Sequence, residues 1–186
     1  MLDRRQVVQN ILAHRKDQLI ISGLGASTYD VANAGDHPLN FYFWGAMGGA
    51  VPCGLGLALT QPDRQVIVIT GDGEMLMGLG SLATIAQHLP KNLSVIVLDN
   101  ERYGETGQQD TVTAAGVALD EIAAACGFKA NCVSNQTELD DLIPRLLSSD
   151  ETLFSVVNIS QTEHPRILPL RDGVEIKVRF KQALGS

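Results

Sequence analysis

The chain has 186 residues, 45% of them hydrophobic and 19% charged, and a formal net charge of -7. That balance excludes a disordered chain, and the acidity argues against nucleic acid as a partner, because phosphate binding requires a basic face. No apolar run reaches the roughly 18 residues of a membrane span, so no membrane is expected.

The opening MLDRRQVVQNILAHRKDQ carries charge throughout and does not read as a signal peptide. Residues 3–18 repeat Val7, Val8, Ile11 and Leu12 at the helical period, which predicts an amphipathic helix. Leu19 to Ser22 reads as a short buried strand running into Gly23-Leu24-Gly25-Ala26-Ser27. Ser27 or Thr28 is the expected cap of a short helix through Ala34. Asn40 to Trp44 is a second apolar run, followed by Gly45-Ala46-Met47-Gly48-Gly49 and a helix of small residues through Leu59. Gln65 to Thr70 is apolar on both faces, as a parallel strand requires, and enters Gly71-Asp72-Gly73 and a helix over 74–88. Leu93 to Leu98 is the next strand and ends in Asp99-Asn100. A polar, glycine-bearing loop over 101–116 follows. After it come a helix at 119–126, a strand near 128–133, a helix at 137–148 and a strand at 153–159. Six strands alternating with helices predict an α/β fold with a mostly parallel sheet and helices on both faces. The chain reads as one domain with a core over 19–160 and a tail over 161–186 to which no structure is assigned. Cys53, Cys126 and Cys132 form no CxxC pair, so no metal cluster or disulfide framework is expected, and a cytoplasmic protein is.

Ligands of open parallel sheets bind at the carboxyl ends of the strands. Segments 22–27, 45–49 and 71–73 and the pair Asp99-Asn100 all fall at such ends, which suggests a ligand with phosphates. Gly71 and Gly73 let the backbone turn tightly and approach a ligand. The amides of Gly73 and Glu74 open a helix, where backbone donors favour phosphate. Asp72 beside a phosphate implies Mg²⁺ as the bridge, since Mg²⁺ takes oxygen ligands from protein and phosphate together. Taken alone, GDG also serves as a plain strand-to-helix turn. Asn100 lies 28 positions after Asp72, one helix and one strand later, on the same sheet edge. Its amide oxygen can complete a metal shell, with the carbonyl of Arg102 as a third ligand.

Gly71-Asp72-Gly73, 25 residues and then Asp99-Asn100 resembles the signature of the thiamine diphosphate (ThDP) enzymes. Gly45-Ala46-Met47-Gly48 is similar to a segment that the decarboxylase branch carries upstream of GDG. The resemblance covers about residues 20–160. It implies that Met47 wedges under the cofactor and that the Gly45 carbonyl and Met47 amide contact its pyrimidine; an ordinary core methionine is the plain alternative. It also implies that Ser22, Gly25 and Ser27 approach the diphosphate. Only the diphosphate-binding domain of such an enzyme is represented. An α subunit is therefore expected to supply the pyrimidine-binding domain and the activating glutamate. The run from Asp99 to Gln109, DNERYGETGQQ, resembles sulfopyruvate decarboxylase β subunits, and phosphonopyruvate decarboxylases have a similar loop. The implied activity is decarboxylation of a small 2-oxo acid. Glu105 and Thr106 are then placed near the reacting centre, to position substrate or relay a proton; a solvated loop charge is the alternative for Glu105. The Arg102 side chain either meets the anionic head of the substrate or lies at the surface.

Other readings are weaker or stay open. A Rossmann nucleotide binder built on Gly23-Leu24-Gly25 lacks the third glycine and a suitable acidic residue at the next strand end. No G-x-S-x-G elbow supports a serine hydrolase. An acetolactate synthase-like carboligase shares the first half of the chemistry. A catalytically silent scaffold subunit would have no need of Asp72 and Asn100.

Overall fold

The computed structural model describes residues 1–185. Ser186, the last residue of the expected tail, lies outside them. The elements in chain order are α1 (Arg4–Ala13), β1 (Leu19–Ser22), α2 (Ala26–Asn33), β2 (Asn40–Tyr42), α3 (Ala50–Thr60), β3 (Val66–Gly71), α4 (Asp72–Met77), α5 (Ser81–Ala86) and β4 (Leu93–Asp99). A hairpin of β5 (Arg102–Tyr103) and β6 (Gln109–Asp110) and a 3₁₀ turn (Val112–Ala115) follow. The chain closes with α6 (Leu119–Ala125), β7 (Lys129–Val133), α7 (Gln136–Ser148), β8 (Leu153–Asn158) and α8 (Gly173–Leu184).

The main sheet has the order β2-β1-β3-β4-β8-β7, and every neighbouring pair is parallel. The central strands are continuous apolar runs because both faces are covered. Alternation divides them between two cores. Leu19, Ile21, Val66 and Val68 pack under α3, α5 and α6, whereas Ile20, Ile67 and Ile69 pack under α1, α2 and α7. The expected α/β sheet with helices on both faces is present.

Several boundaries differ from the sequence reading. The helix expected over 74–88 breaks into α4 and α5 at Gly78-Leu79-Gly80. Neither Ser27 nor Thr28 caps α2: its N-cap is Gly25, at φ 63°, without a side-chain bond. Thr28 instead donates to the Gly23 carbonyl at 2.7 Å and holds the β1–α2 turn. The tail is not structureless. Asp172 caps α8 by accepting from the amides of Val174 and Glu175, and Ile176 and Phe180 bury into the two cores. Phe180 meets Phe41 edge-on at 5.6 Å, which fixes α8 beside the β2 edge.

Candidate functional site

A cleft of about 430 Å³ opens at the carboxyl ends of β1, β3 and β4. The order β2-β1-β3 reverses direction along the chain here, so the adjacent turns diverge and leave a crevice between them. Gly25, Ser27, Met47, Gly71, Asp72, Gly73, Glu74, Asn100, Arg102, Glu105 and Thr106 all line it. Thirteen candidate positions were drawn from the sequence, and two fall outside this lining. The Ser22 side chain is fully buried and sits 2.6 Å from the Thr28 hydroxyl, so it serves the core and not the cleft. Gly45 is not among the residues that line the cleft.

Asp72 is buried, and its Oδ2 accepts from the Thr111 hydroxyl at 2.6 Å. Thr111 is 2.8 Å from Thr113, whose hydroxyl donates to Asp99 Oδ1 at 2.9 Å. A hydroxyl chain thus joins the GDG turn to the end of β4. Burial raises the Asp72 carboxyl to about 6; the Thr111 bond opposes the rise and the neighbouring Asp99 charge adds to it. The two threonines were missed in the sequence. Their signal is faint: a Thr-x-Thr in a polar loop, 39 positions after the carboxylate that it meets.

Asn100 Oδ1 accepts from the Arg102 amide at 3.1 Å. Thr111 donates its amide to the Glu101 carbonyl, and Gln108 donates to that of Tyr103. Arg102 is therefore the non-hydrogen-bonded member of the β5–β6 ladder, and both its amide and its carbonyl turn away from β6. One carboxylate, one carboxamide and one carbonyl are hard oxygen donors of the kind that Mg²⁺ takes. Among the described residues no cluster of three His, Cys, Asp or Glu offers a rival metal site.

The Glu74 side chain has a separate duty. It accepts from the Leu24 amide (2.9 Å), the Thr70 hydroxyl (2.8 Å) and the Ala50 amide (3.3 Å), tying three cleft turns together. Ala46 holds φ 62°, an uncommon and costly conformation for a residue with a side chain. It leaves Met47 43% exposed at the cleft, not packed in the core. The same loop rests on α4: a Cβ at Gly78 would come within 2.5 Å of the Gly48 carbonyl, so both positions must stay bare. Glu105 lies over Gly25 and pairs with Arg166 at 3.0 Å. Thr106 donates to Gln109 Oε1 at 3.0 Å. The Arg102 side chain pairs with Asp110.

A family model described as thiamine pyrophosphate enzyme, C-terminal TPP binding domain, matches residues 23–159. The chain belongs to this family. Among thiamine pyrophosphate enzymes, it is 41% identical over 187 residues to a sulfopyruvate decarboxylase subunit beta of Methanothermobacter thermautotrophicus, covering 100% of this chain and 98% of that one. The subunit beta of Methanocaldococcus jannaschii is 37% identical over 79% of this chain and 76% of its own length. A phosphonopyruvate decarboxylase of Streptomyces viridochromogenes is 45% identical over 72% of this chain, but the match spans only 33% of that protein. The fold is shared with benzoylformate decarboxylase from Polynucleobacter necessarius, at a TM-score of 0.77 and 22% identity, over 88% of this chain and 34% of the other. No helix among the described residues is long and apolar enough to cross a membrane.

Proposed function

We propose that this chain is the β subunit of a split ThDP- and Mg²⁺-dependent decarboxylase that converts sulfopyruvate to sulfoacetaldehyde and CO₂. The observation that carries this reading is the end-to-end match, 100% and 98% of the two lengths, to a protein named as a subunit beta. The phosphonopyruvate decarboxylase is matched over only a third of its length, as expected if the remaining domains of this enzyme reside on an α subunit. We assign the activating glutamate and the pyrimidine-binding domain to that subunit. Three unpaired cysteines fit a cytoplasmic setting.

Thiamine diphosphate, when bound, supplies the electron sink for loss of CO₂ from a 2-oxo acid. The chain's own residues bind and orient. Asp72, Asn100 and the Arg102 carbonyl would hold Mg²⁺ and through it the diphosphate. Thr111 keeps the Asp72 carboxylate turned toward the metal position. Gly71, Gly73, Gly25 and Ser27 line the part of the cleft where the phosphate oxygens would lie, and the Glu74 amide adds a donor. The Gly45 carbonyl and Met47 would contact the pyrimidine and set the bend of the cofactor. Glu105 and Thr106 would face the reacting carbon; Glu105 must leave Arg166 before it can move a proton.

Phosphonopyruvate is the second reading, favoured by the 45% identity over 134 residues to a phosphonopyruvate decarboxylase. Aldehyde release from sulfopyruvate and phosphonopyruvate, measured side by side on the chain assembled with its α subunit, decides between them. Faster turnover of sulfopyruvate is expected. Release from neither substrate contradicts the proposal.

A further inference from the structure

One wall of the cleft carries a fixed positive charge. Asp30 on α2 is fully buried and accepts from the Nε atoms of Arg4 and of Arg5, the latter at 3.0 Å. Two guanidinium groups share one carboxylate, so the cluster keeps one surplus positive charge. Arg5 directs a terminal nitrogen to the Pro165 carbonyl at 2.7 Å. Arg4 instead lines the cleft together with Gly25 and Ser27. Among the described residues no hydrogen bond engages its terminal nitrogens. The other basic side chains that line the cleft face acids: Arg102 pairs with Asp110, Arg166 with Glu105, and His164 Nε2 lies 2.8 Å from Asp3.

We propose that Arg4 binds a tetrahedral oxyanion in this cleft, either the terminal phosphate of the cofactor or the sulfonate (or phosphonate) head of the substrate. The inference rests on the functional reading above and extends it to a residue outside the ThDP signature. Anchoring at Nε by Asp30 fixes the guanidinium plane and leaves its outer fork for a second oxyanion. The side chain is 13% exposed, so water screens the charge weakly. In a chain of net charge -7, such a fixed cation offsets the repulsion that a multiply charged anion would meet.

The test is calorimetric binding to the chain assembled with its α subunit, for wild type, Arg4→Lys and Arg5→Lys. A lysine at position 4 can still neutralise Asp30, but its single ammonium cannot also present a fork. Arg5→Lys perturbs the same cluster at a side chain that does not line the cleft. The probes are ThDP with Mg²⁺, and sulfoacetate against acetate in the loaded enzyme. Arg4→Lys is expected to weaken one probe at least 5-fold while Arg5→Lys leaves it within 2-fold. Weakened ThDP assigns the phosphate; weakened sulfoacetate, with acetate unchanged, assigns the substrate head. Unchanged binding of both probes, or equal losses in the two variants, overturns the proposal. If wild type itself binds no ThDP, the functional reading fails first, and this inference fails with it.

Discussion

At the scale of single residues, Asp72 decides most. Its carboxyl stands at about 6, above the ordinary 3.8. Between those values the folded chain holds the proton more tightly than the unfolded one, so metal-free stability falls as pH rises from about 4 to 6. Asp72→Asn removes that dependence. The metal-free variant should be more stable than wild type at pH 7, by up to about 3 kcal/mol, and the gap should close toward pH 4. The same variant should lose the thermal shift that ThDP with Mg²⁺ gives to wild type. Melting curves across pH, with and without ligands, check both parts. In the proposed site Thr111 would act on the metal through Asp72. Thr111→Val should weaken Mg²⁺ binding about 10-fold, whereas Thr111→Ser, which keeps the hydroxyl, should stay near wild type in a Mg²⁺ titration of the ThDP-loaded enzyme.

At the scale of elements, the glycine contact between the Met47 loop and α4 is a sensitive joint. Gly78→Ala places a methyl group against the Gly48 backbone. It should displace Met47 and lower ThDP affinity severalfold, with the far-ultraviolet circular dichroism unchanged. Phe180 tests the other end of the fold: Phe180→Ala should cost about 3 kcal/mol and be read as a lower melting temperature. These elements also mark what the sequence discloses. β3 and β4 were legible because buried parallel strands are unbroken apolar runs, and the glycine turns at their ends pointed to the cleft. α8 was not legible. Its apolar residues Val174, Ile176, Val178 and Phe180 alternate at the strand period, yet only Ile176 and Phe180 are buried, while Val174 and Val178 stay exposed. The Asp172 cap and the Phe41 contact select the helix, and the latter depends on a partner 139 positions away. The split of the GDG helix was hidden for a similar reason, since Gly78 answers to Gly48 across the fold. The Thr111–Thr113 chain escaped notice because hydroxyl roles are set by three-dimensional neighbours and leave no periodic trace.

At the scale of the molecule, the chain presents a cleft in which Met47, the proposed wedge, is 43% exposed. The proposed α subunit, seated over that side chain, would account for the exposure. The account as a whole turns on a divalent ion joining the ends of β3 and β4. The most direct measurement is a crystal structure of the chain with its α subunit, ThDP and Mg²⁺. The account predicts an octahedral ion about 2.1 Å from Asp72, the Asn100 amide oxygen and the Arg102 carbonyl, with diphosphate oxygens completing the shell. A cofactor bound without that ion, or an ion held by other residues while Asp72 keeps only its threonine partner, would contradict it.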